Sequence, residues 1–106
     1  MTSIKDKVLA TMKGKEGQIF RPHEIVDMVL QKFPDTNRNS ILPADYCYNR
    51  INKGIKFDFH LFESLDDGTY KFLGLNYPYQ GKIFWKGQAI GEWKNGKKFL
   101  RLKFNE

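Results

Sequence analysis

The period of the apolar residues changes once along this chain, and that change bounds what it can fold into. Ile4, Val8, Leu9 and Met12 recur at three- and four-residue spacing, as do Ile25, Val26, Val29, Leu30 and Phe33. Such spacing puts each set on one face of a helix. From His60 onward the apolar positions fall on every second residue, the pattern of strands with one buried face. Helices first and hairpin strands after predict an α+β chain rather than alternating βαβ units. The chain has 106 residues, enough to close one modest core.

Local signals mark the boundaries. Ser3 can cap the first helix, and Asp6 suits its positive end. Gly14 and Gly17 make the following turn, and Gln18 to Phe20 is a short apolar run. Pro22 starts the second helix and Pro34 ends it. Pro43 opens a polar stretch to Lys53 that reads as a third helix, with Asp45 in its first turn and Gly54 as its stop. On it, Cys47 and Ile51 would face inward, while Tyr46, Asn49 and Arg50 share the outer side. His60–Leu65 and Thr69–Leu73 flank Asp66-Asp67-Gly68, a hairpin signal. Three helices, a short strand between the first two, and a hairpin form the order of a winged helix-turn-helix. Residues 76–106 add an antiparallel β-meander: Lys82–Lys86, Ala89–Trp93 and Lys98–Phe104, with the Asn95-Gly96 pair favoured by type I′ turns. We expect one domain over residues 1–106, with helices and wing in 1–75 and the meander as an extension.

Composition narrows the function. Net charge is +6 and the pI about 9.5, a balance that favours polyanions. Residues 77–106 hold seven Lys and Arg against two Glu, so the meander carries most of the excess. A single cysteine, Cys47, rules out an internal disulfide and suits a reducing compartment. No apolar run approaches a membrane span, and no apolar segment follows the N-terminal residues as in a signal peptide. A cytoplasmic protein without membrane contact is the expectation. His23 and His60 lie in different elements, and no His or Cys pair has metal-ligand spacing. Neither an enzyme nor a metal or cofactor site is expected.

The third-helix region carries the binding chemistry. Arg can take guanine in a fork and Asn can take adenine from the major groove. Arg38 and Ser40 precede the helix, and Tyr46, Asn49, Arg50, Asn52 and Lys53 lie on it. With Lys71 from the wing they are the candidate DNA contacts. Lys97, Lys98, Arg101 and Lys103 would neutralise phosphates. The expected partner is double-stranded DNA. The alternative is a protein-interaction module, a small phage-type inhibitor or complex subunit, anchored by Tyr46, Tyr48, Tyr77 and Tyr79. Trp85 and Trp93, on adjacent strands, would pack across the hairpin or, with nearby tyrosines, form an aromatic pocket for a flipped base.

Ser40-Ile41-Leu42-Pro43-Ala44-Asp45-Tyr46-Cys47-Tyr48-Asn49-Arg50 resembles a winged-helix module of bacterial restriction-like systems, found beside or fused to HNH nucleases. The similarity continues through Phe57–Glu63, Gly68–Gly74, Tyr77-Pro78-Tyr79 and Gly91-Glu92-Trp93. The resemblance implies DNA recognition in a bacterial or phage defence setting, with modified bases among the targets. The HNH residues are absent here, so any cutting would belong to a separate nuclease subunit.

Overall fold

A computed structural model of the chain describes residues 2–52 and 57–101. The fold is α+β, with two short antiparallel sheets. Helix α1 (Ile4–Met12) begins where the Ser3 hydroxyl accepts the Asp6 N–H. Helix α2 (Pro22–Lys32) begins where the Glu24 carboxylate accepts the Arg21 N–H at 2.7 Å. Both helices pack on the sheet formed by β1 (Ile19–Phe20), β2 (Phe62–Ser64) and β3 (Tyr70–Phe72), in the order β1-β3-β2. Ile19 pairs with Lys71, and Phe62 with Phe72. The meander forms its own sheet, β4 (Gly81–Trp85), β5 (Gln88–Lys94) and β6 (Lys97–Leu100), in sequential order. Asn95 and Gly96 both have positive φ, 53° and 81°, as a type I′ turn requires.

The third helix predicted over Pro43–Lys53 is not an α-helix. A single 3-10 turn, Pro43–Tyr46, is followed by non-helical backbone from Cys47 to Asn52, bent at Tyr48 and Asn49 and bridged at Cys47 and Arg50; Lys53 lies outside the described residues. The reason is where the backbone hydrogen bonds go. Tyr48 N–H donates to Phe62 O at 2.8 Å and Ile51 N–H to Phe84 O at 2.9 Å, while Asn49 O accepts from Phe84 N–H. Partners on two sheets replace the i→i−4 bonds that a helix would use. The segment is thus a strap, joined to the first sheet by a parallel bridge at Cys47–Phe62 and to the second at Arg50–Phe84.

Cys47 is extended, with φ −96° and ψ 148°, and an extended residue turns successive side chains to opposite sides. Cys47 accordingly enters the core under the helices, with Val8, Met12, Ile25, Val29 and Phe62. Its neighbour Tyr48 enters a second, aromatic core with Tyr79, Ile83, Ile90 and Trp93. The two tryptophans do not pair across the hairpin. Trp85 is opposite Gln88 and Trp93 opposite Gly81, so they sit at opposite ends of the β4–β5 ladder.

Candidate functional site

Strap geometry decides which predicted contacts are free. The Asn49 amide is engaged within the fold. It donates to Ser64 O at 2.8 Å and accepts the Ser64 N–H at 2.9 Å, closing a side-chain bridge to β2. Asn52 donates to the Asp45 carboxylate at 2.6 Å. Arg50, between them, is exposed, and no carboxylate of the described residues lies within ion-pair distance of it. Two clefts share Arg50 as a wall. One, of about 370 Å³, runs past Ser64, Leu65, Asp66 and Phe84. The other, of about 380 Å³, runs past Ser64, Tyr70, Trp85 and Lys86. Phe84 is 40% exposed, so a flat apolar surface stands open beside the guanidinium. A second cation, Lys86, lies over the Trp85 ring.

The remaining predicted residues are scattered. Arg38 is exposed but paired with Asp27 of α2. Ser40 is exposed at the end of a 3-10 turn, Arg38–Ser40. Tyr46 is half-buried, edge-on to Phe59. Lys71 is half-buried on β3, between Ile19 and Glu63. Lys97 is exposed at the β5–β6 turn, whereas Arg50 bridges β4 near the β4–β5 turn. Those turns lie at opposite ends of the seven-residue β5, roughly 20 Å at the rise of a strand. Arg101 faces Glu92. Lys98 donates to Phe57 O at 2.6 Å and lies over the Phe57 and Trp93 rings; burial lowers its pKa. Lys103 lies outside the described residues. Among the described residues, the strap and the C-terminal lysines therefore do not share the single face that was expected: the strap is half inside the fold, and Lys97 and Lys98 are at the far end of the second sheet.

Cys47 is buried, and burial pushes its thiol up to about 12. A protonated thiol closed from solvent is not an activated nucleophile. Among the described residues, no group of three or more His, Cys, Asp or Glu could hold a metal ion. No helix among them is long and apolar enough to cross a membrane.

His60 is only 8% exposed, and its Nδ1 lies 3.0 Å from Cys47 O. A carbonyl only accepts, so Nδ1 carries the proton and Nε2 presents a lone pair. Burial first, then the Lys98 charge, lower the ring's pKa from 6.5 to about 4. The unfolded chain therefore binds this proton more readily than the native one. The stabilisation is complete above pH 6.5 and is lost as pH falls towards about 4. We expect a loss of about 2 kcal/mol over that window after allowing for solvent screening. Denaturant titrations of the native chain and His60→Gln at several pH values check this: the difference between them should shrink as pH falls.

Sequence reasoning overlooked Phe84, Lys86 and the role of His60. The sequence places Lys86 at the end of the strand Lys82–Lys86, but its position beside Arg50 has no local signal, because the parallel bridge from Arg50 to Phe84 is what brings them together.

Residues 3–100 match the model of a family described as "Domain of unknown function (DUF7225)", and the chain belongs to it. It is also 41% identical over 105 residues to the "Uncharacterized protein YnaC" of Bacillus subtilis (strain 168), covering 93% of this chain and 40% of that protein. The chain thus spans about two fifths of that relative's length. No solved structure matches it.

Proposed function

We propose that the chain is a DNA-binding module that grips the polyanion at Arg50 rather than through a helix laid in the major groove. The observation that carries this reading is the exposed guanidinium, free of carboxylate pairing among the described residues, standing between two clefts edged by Phe84, Trp85, Tyr70 and Lys86. Cations take phosphate, and open rings stack on bases. Net charge of +6 adds a sequence-independent attraction. The order helix, strand, helix, turn, hairpin, with β1 on β3, supports a winged-helix reading in which the recognition helix has shrunk to the Pro43–Tyr46 turn. Asn49 and Asn52 then serve as struts that aim Arg50.

Titration with duplex and single-stranded DNA at two salt concentrations tests this. Arg50→Ala should weaken binding by about 1–3 kcal/mol and reduce the salt slope by about one. It should leave thermal stability within about 0.5 kcal/mol, because its side chain is exposed. No binding at low salt would remove the proposal.

A protein-docking role has its own support. Strand β6 is an edge whose Phe99 and Leu100 are exposed, and Leu75 and Tyr77 are exposed too. A stable co-purifying protein, with DNA affinity indifferent to Arg50→Ala, would favour it.

A further inference from the structure

A third cleft, of about 300 Å³, opens between the segment after β3 and the β5–β6 turn. That size suits a small ligand. Tyr48, His60, Tyr77 and Trp93 line it, with Asp58 and Asn95. The polar groups of its aromatic wall are almost all spent. Trp93 Nε1–H donates to Tyr48 O at 2.7 Å. The Tyr48 hydroxyl donates to Gly74 O and accepts the Tyr77 N–H. His60 Nδ1–H is given to Cys47 O. What remains on that wall is His60 Nε2, buried and without a hydrogen-bond partner among the described residues, while the exposed Asn76 and Asn95 amides edge the cleft at its rim. Nε2 is an acceptor, and the exposed Asp58 carboxylate is a second.

We infer that this cleft binds an amino-bearing nucleobase, whose N–H donor meets His60 Nε2 while its ring lies against the aromatic wall. A buried acceptor in a ring-lined cleft asks for a planar donor. A cationic donor is disfavoured, because the Lys98 ammonium already lies over the Trp93 and Phe57 rings. A neutral base carrying phosphate suits both the rings and the exposed Lys97 beside the turn. Guanine, adenine and cytosine each offer an exocyclic amine. Uracil and thymine offer only one N–H, flanked on both sides by carbonyls, which accept and cannot donate to the His60 lone pair. Nε2 is closed to solvent, so the base reaches it as the rim opens. Asn76 and Tyr77 are both exposed rim residues, and Asn76 has a positive φ of 55°. The inference rests on the nucleic-acid reading only for the source of the base, a free nucleotide or an unstacked residue of a strand.

The experiment titrates the full chain with GMP, AMP, CMP and UMP, and with short oligo-dC and oligo-dT strands. It follows tryptophan fluorescence and the His60 ring ¹⁵N resonances. Amino-bearing nucleotides should bind about ten-fold or more tighter than UMP, the worth of one good hydrogen bond. The Nε2 resonance should move on binding, and Asp58→Asn should narrow the preference. His60→Phe should abolish it, and the resonance shift in the native chain stands as evidence should that variant fail to fold. Equal affinity for UMP, an unmoved Nε2 at saturation, or binding of N-acetyl-arginine amide in place of nucleotides would each overturn the inference. Arg50→Ala separates the two readings. If monophosphates are discriminated while no strand binds, the DNA module falls and this site stands. If strands bind through Arg50 without base preference, this site falls and the module stands.

Discussion

Tyr48→Ala will cost about 4 kcal/mol or more and leave the chain at the edge of unfolding. Truncating a buried ring costs about 3–5 kcal/mol, against a total stability of about 5–15 for a domain of this size. Tyr48 is 2% exposed and central to its cluster. Its ring stacks on Tyr79 at 5.3 Å and meets Trp93 edge-on at 5.2 Å. Its hydroxyl is bonded to Gly74 O and Tyr77 N, and its carbonyl holds the Trp93 indole. Tyr48→Phe keeps the ring and removes only the hydroxyl, leaving two polar groups short of a partner. It should cost about 2 kcal/mol. Urea denaturation checks both: the midpoint should fall in that order with the slope unchanged. A loss under about 1 kcal/mol for Tyr48→Ala would mean that the strap does not anchor the second sheet.

Gly91→Ala tests the other side of that sheet. Gly91 is buried on β5 and paired with Leu100. A methyl there would overlap the Phe99 carbonyl oxygen and meet Leu100 Cα at 3.0 Å. Both obstacles are backbone, so no side-chain rotation relieves them. The strands must separate, at a cost of about 3 kcal/mol. Hydrogen exchange should show the β5–β6 amides losing protection while β4–β5 amides keep theirs. Unchanged exchange would show that the ladder accommodates the methyl. Glycine is therefore needed here for close approach, whereas at Gly96 it is needed for its positive φ.

Much of the architecture was legible because its causes are local. Pro22 and Ser3 marked helix starts that the structure keeps. The Asn95-Gly96 pair announced its turn, and two-residue periodicity announced β4 and β5. The error fell on Cys47–Asn52. Cys47 and Ile51, four apart and both buried, satisfy a helical period, and so the segment read as a helix. What separates the strap from a helix is that the neighbours Cys47 and Tyr48 are buried in different cores. Of the ten predicted contacts that lie among the described residues, Arg50 alone combines exposure with a cleft and freedom from carboxylate pairing there. Asn49 and Asn52, identical in type to base readers, hold the protein's own groups.

What the amino-acid order determined on its own is the set of elements whose hydrogen bonds close within a few residues: two capped helices and the hairpin ladders. Only the tertiary structure decided the strap. Its backbone partners, Phe62 and Phe84, lie far along the chain, and no local pattern signals a choice between them and the next helical turn. That choice placed adjacent residues in two cores, turned two asparagines into struts, left Arg50 open and enclosed His60. Distant hydrogen bonds outweighed near ones, and the candidate sites exist because they did.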